Sequence, residues 1–142
     1  MADLKLSQMN EVLFDELLDT DEVYVGTPLN DERRLTIGEL LGRRGPTALT
    51  DGADTVIARV PVGSAMTSVS WVATLYNATE ARQFRVDATR VGTTINFTVH
   101  GLGPSGDEEF GVAIDGTDLT LTVDPNDSDW NAITTRLALH RA

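Results

Sequence analysis

The chain has 142 residues, 41% of them hydrophobic and 23% charged, with a net charge of −11 and no cysteine. That length fits one domain, or one small domain with an arm, and the apolar fraction is enough for a packed core. So acidic a surface repels phosphate backbones, which argues against nucleic acid as a partner, and the absence of thiols excludes disulfides, thiol catalysis and thiolate metal sites.

Both parts of the chain share the acidic sign: residues 1–50 carry ten acids against five bases, and residues 51–142 carry twelve against six. No apolar run approaches the roughly 20 residues of a membrane helix, and no basic start leads into an apolar stretch. Neither a membrane partner nor a secretory leader is expected. Without a leader, the Asn-x-Ser/Thr triplets at Asn77, Asn96 and Asn126 read as chance in a threonine-rich chain.

In chain order, residues 4–18 ("LKLSQMNEVLFDELL") space their apolar residues, from Met9 onward, as an amphipathic turn or two of helix, with Ser7 as N-cap. "VYVGTPL" and "RLTI", separated by the polar turn "NDER", read as a short β-hairpin. Thr36 and Glu39 have the spacing of a capping box, which predicts a short helix from Ile37 to about Leu41. Gly42 and Gly45 followed by Pro46 are its stop signals. This N-terminal arm, residues 1–46, is too small to hold a large core alone.

From Thr55 the texture changes. Seven runs, from "DTVIARVPV" to "WNAITTRLALHR", are short, mostly alternating, and rich in Val, Ile, Thr and aromatics. Phe84, Val86 and Ala88 fall on one strand face, opposite Arg85, Asp87 and Thr89. Leu119, Leu121 and Val123 alternate in the same way with Thr120 and Thr122. Turn formers separate the runs: Gly63-Ser64, Asn77-Ala78-Thr79, Gly92, Gly103-Pro104-Ser105-Gly106, Asp115-Gly116 and Asp124-Pro125-Asn126-Asp127. The expected fold is mainly β: an antiparallel β-sandwich or jelly-roll-like domain over residues 47–142, preceded by the small α+β arm. Gly92 marks a tight hairpin between two long strands, one of which is expected to extend past the core and pair or pack with another chain. The strand order does not follow from the pattern.

No catalytic constellation stands out. His100 and His140 lie on predicted strands with no nucleophile at a usable spacing, and "GLGPSGDEEFG" lacks the Gly-x-Ser-x-Gly register. "DPNDSDWN" offers oxygens to a hard cation, but Asp129 and Thr135 stand where a calcium loop needs its Gly and Glu. It reads as an Asx-stabilised turn, with Trp130 folding onto the core edge. No metal and no cofactor are expected. Tyr76 and Trp130 are the aromatic candidates for a receptor, glycan or subunit contact.

The stretch "LKLSQMNEVLFDELLDTDEVYVGTPLNDERRLTIGELLGRRG" resembles an N-terminal segment common in virion proteins of tailed bacteriophages, especially tail fibres, head fibres and other appendages. The matching positions are Leu6, Ser7, Leu18, Asp19, Asp21, Glu22, Val23, Arg34, Thr36, Glu39 and Leu40, while Met9-Asn10 replaces a Leu-Pro. "RVDATRVGTTINFTVHGLG" and "LTLTVDPNDSDWNAITTRLAL" are similar to the β-rich modules that close such proteins. The resemblance implies an arm docked on a capsid or tail protein, with Leu13, Phe14, Leu17, Leu18, Leu40 and Leu41 meeting that surface. It also implies a β domain projecting from the virion, commonly as a homotrimer. The expected function is a non-enzymatic capsid decoration or short head-fibre protein, assembled in the host cytoplasm. The alternative is a short tail fibre or baseplate tip binding a host receptor or surface glycan through loops 103–109 and 124–130.

Overall fold

A computed structural model of the chain describes residues 3–5, 22–26, 32–36, 38, 42–126 and 130–142. It divides into two compact units, Met1–Arg43 and Arg44–Ala142. The anchoring candidates Leu13, Phe14, Leu17, Leu18, Leu40 and Leu41 lie outside the described residues, as do both expected helices apart from Gly38.

In the first unit, β1 (Asp3–Lys5) runs parallel to β2 (Glu22–Gly26), and β2 pairs antiparallel with β3 (Glu32–Thr36). The hairpin expected around "NDER" is therefore present. Strand β1 is an addition that its three residues do not announce.

The second unit is built by the strands β4 (Arg43–Leu49), β5 (Thr55–Pro61), β6 (Met66–Tyr76), β7 (Ala81–Val91), β8 (Thr94–Gly101), β9 (Glu109–Asp115), β10 (Asp118–Asp124) and β11 (Trp130–Arg141). They form a five-stranded sheet, β4-β11-β6-β7-β8, and a three-stranded sheet, β5-β10-β9. The fold is mainly β with antiparallel sheets, as the alternation predicts. All seven predicted runs are strands. Strand β4 is a further one, formed by residues whose Gly and Pro read as a helix stop.

The core lies between the two sheets. Ile57 and Val60 of β5 and Leu119, Leu121 and Val123 of β10 meet Val69, Trp71 and Leu75 of β6, Phe84 and Val86 of β7, and Trp130 of β11. Phe84 and Phe110 of β9 pack with ring centroids 5.0 Å apart at 57°, a tilted pair. Fully burying an aliphatic side chain stabilises by about 1.5–3 kcal/mol, so these positions carry most of the unit's stability.

Two bulges adjust the alternation. The β5–β10 register shifts between Leu121 and Thr122, so Ile57 and Ala58 are both buried although adjacent. The Thr134 hydroxyl, on β11 of the other sheet, donates to the Ile57 carbonyl at 2.8 Å. In β11 the register shifts between Arg136 and Ala138, leaving Leu137 exposed and returning Leu139 to the core side. Thr120 keeps the face opposite Leu119 and Leu121 but is buried there, and its hydroxyl donates to the Ala113 carbonyl at 3.2 Å.

Candidate functional site

The register of β6, β7 and β8 fixes which side chains share the outer face of the larger sheet. Ser68 stands opposite Thr89 and Ser70 opposite Asp87, while Asp87 faces Thr98 and Thr89 faces Asn96. Period-2 alternation turns all six away from the core. They line a shallow polar depression of about 440 Å³.

Asp87 is its electrostatic centre. The Ser70 hydroxyl donates a hydrogen bond to Asp87 Oδ1, and Arg85 Nε donates to the same oxygen at 3.1 Å. His100 Nε2 lies 3.8 Å from Oδ2. The Ser70 hydrogen bond, helped by the Arg85 bond and charge and by His100, holds the carboxyl below the usual aspartate value despite partial desolvation. Serine, aspartate and histidine are thus close together, but in the wrong order for acyl chemistry. A nucleophilic triad needs histidine between serine and aspartate, to take the hydroxyl proton. Here Asp87 stands between the other two. A carboxylate held ionised among hydroxyls and an amide is instead equipped to accept hydrogen bonds from a polar solute.

At one end of the sandwich, turn chemistry occupies Asp124, the one acid of "DPNDSDWN" among the described residues. Asp124 Oδ1 accepts from the backbone N–H of Asn126 at 2.9 Å, closing an Asx turn, and from Gly52 N–H at 3.0 Å. Asn126 Nδ2 donates to the Asp107 carbonyl at 2.8 Å, which ties the 124–130 segment to the 103–109 loop. Glu108 accepts from Gly106 N–H at 2.8 Å and pairs with Arg82 at 3.0 Å. Residues 127–129 lie outside the described set. Among the described residues, no group of three or more His, Asp or Glu side chains gathers as a metal site.

The aromatic candidates part company. Trp130 is 4% exposed and belongs to the core, with the Arg82 guanidinium 4.5 Å over its ring. Tyr76 is half-buried at the end of β6, on the outer face. His100 and His140 are both exposed on strands. Pattern reading missed the depression because its residues are unremarkable singly. Only the β6–β7–β8 register assembles them, and that register depends on strand order. Comparison of the chain with protein-family models, curated proteins and solved structures returned no match.

Proposed function

We propose that this protein is a non-enzymatic structural component of a tailed-bacteriophage particle, a capsid decoration or short head-fibre protein. Its N-terminal segment binds a capsid protein, and its β-sandwich faces outward. The observation that carries this reading is the division of the chain at Arg43/Arg44 into two compact units. That boundary falls at the end of the segment whose cadence is similar to phage virion anchors.

The mechanism is interfacial. Each docked copy removes apolar area from water at about 25 cal/mol per Å², and the symmetry of a shell repeats that gain over many sites. The net charge of −11 keeps decorated particles apart in solution. Deleting residues 1–42 leaves the sandwich strands intact and abolishes incorporation into particles. Full incorporation of the truncated chain, measured by gel and mass spectrometry of purified virions, would sink the reading.

A second reading, host attachment, is favoured by the polar depression. Asp87, Asn96 and the hydroxyls of Ser68, Ser70 and Thr98 are the donor and acceptor types that meet sugar hydroxyls. Binding to a host-surface glycan that Asp87→Ala removes would promote it; a glycan array blank for the intact chain would dismiss it.

A further inference from the structure

Among the described residues the sandwich has four edge strands, and one of them is unguarded. Edges invite pairing with another chain unless charge, proline or a bulge blunts them. Strand β4 carries Arg43, Arg44 and Pro46. Strand β5 carries Arg59, Pro61 and the bulge at Ile57. Strand β9 is bracketed by Glu109 and Asp115. Strand β8, "TINFTVHG", has no acid, no Arg or Lys, no proline and no register shift.

This bare edge is also sticky. Ile95, Phe97 and Val99 pair with Arg90, Ala88 and Val86 and so share the core face of β7. The smaller sheet does not cover them fully: Phe97 is 42% and Val99 36% exposed. The β7–β8 loop has two residues, and Gly92 takes φ +60° at its first position, the geometry of a type II′ turn. The closing pair Val91–Thr94 of such a loop exchanges both hydrogen bonds with its own hairpin. Alternation along β8 then turns the N–H and C=O of Ile95, Phe97 and Val99 toward the open edge.

We infer that β8 is a self-association strand, pairing antiparallel with β8 of a second copy about a two-fold axis at Phe97. The occupant is identified by the strand's own symmetry. Read outward from Phe97, the sequence is a palindrome of chemistry: Asn96 and Thr98, then Ile95 and Val99, then Thr94 and His100. In that register Phe97 meets Phe97 and Ile95 meets Val99 on one face, while polar residues meet on the other. Every outward-turned backbone group finds a partner. Charge points the same way. Two copies each carrying −11 repel over most of their surfaces, and β8 is a strand edge free of acids. The contact removes on the order of 1,000 Å² in total, the size of a weak, reversible interface rather than an obligate one.

Strand-edge pairing of this kind closes after two copies, unlike the threefold arrangement that the phage resemblance implies. The inference concerns the isolated chain and does not rest on the particle reading.

Sedimentation of the full chain at about 100 µM, a concentration chosen to populate a weak dimer, should give twice the 15.3 kDa chain mass. Phe97→Lys should return it to a monomer with an unchanged circular dichroism spectrum. Because the chain has no cysteine, single substitutions report register cleanly. Phe97→Cys places two Cα atoms about 5.5 Å apart, within disulfide reach, and should crosslink on mild oxidation. Thr94→Cys places them about 20 Å apart and should not. A wild-type monomer or trimer, a folded Phe97→Lys dimer, or crosslinking through Thr94→Cys as efficient as through Phe97→Cys would each overturn the proposal.

Discussion

Strand β7 carries an arginine at each end of its core face, and the two are held in opposite ways. At one end, Arg82 pairs with Glu108 at 3.0 Å and Glu80 at 3.3 Å and lies over Trp130. At the other, Arg90 is 6% exposed and, among the described residues, donates only to carbonyls, those of Gly92 at 2.7 Å and of Gly63. Its Nε is buried and, among the described residues, has no hydrogen-bond partner. The first arrangement is an ion pair reinforced by a ring. The second is a cationic pin through the β5–β6 and β7–β8 turns. What differs is what each would leave behind. Removing Arg82 strands the Glu108 carboxylate, whose side chain is 3% exposed. Removing Arg90 strands two turn carbonyls, one of them at an exposed glycine that water reaches.

Arg82→Met is the sharpest test of that contrast, because breaking a buried pair from one side costs about 3–5 kcal/mol. Urea unfolding should show a loss of that size, and Glu108→Gln combined with it should recover a large part. If the double variant is no better than the single one, the two residues do not act as a pair. Away from both ends, Thr134→Val leaves the Ile57 carbonyl without its donor from the opposite sheet, at an expected cost of about 1–3 kcal/mol. Arg90→Met should lie within about 1 kcal/mol of wild type, since it discards an unsatisfied buried donor and leaves no charge behind. A loss as large as that of Arg82→Met would erase the distinction between the two ends.

The remaining arginine of the strand, Arg85, points to the outer face, where its partner Asp87 sets a smaller, pH-dependent term. The folded-state pKa of Asp87 is depressed below the ordinary value of 3.8. Its contribution is therefore present above that value and is lost as pH falls through the folded pKa. Acid titration of thermal stability should show a shallower decline in Asp87→Asn than in wild type, with the curves parallel at neutral pH. Asp115→Asn, which breaks the exposed contact with Arg59 at 3.1 Å, should change stability by less than about 1 kcal/mol.

The positions of both inner arginines were open to pattern reading. Arg82, Phe84, Val86, Ala88 and Arg90 share one parity, so the alternation that buries Phe84 also brings both arginines to the core face. The apolar three announce the core face by themselves, whereas an arginine's charge suggests solvent unless a buried acid or carbonyl is known to wait for it. The seven runs of the sandwich and their turns were legible because alternation and turn chemistry are local. The bulge at Leu137 was not: the β11 pattern reads as continuous, and only pairing with β6 shows that Leu139 regains the side of Trp130 and Ala132. Strand β4 was hidden by Gly45 and Pro46, which weaken a strand interior but are tolerated on an edge. The polar depression and the β8 edge depend on which strands are neighbours and which one ends the sheet. That is a property of chain crossing rather than of any segment's composition.

The central claim, that the chain is a component of a phage particle, is tested most directly by where it resides. A small tag placed after Ala142 and visualised on purified virions by electron microscopy should label the head at many sites. Particles that carry no label, from a lysate in which the tagged protein is abundant and its tag accessible, would contradict the claim.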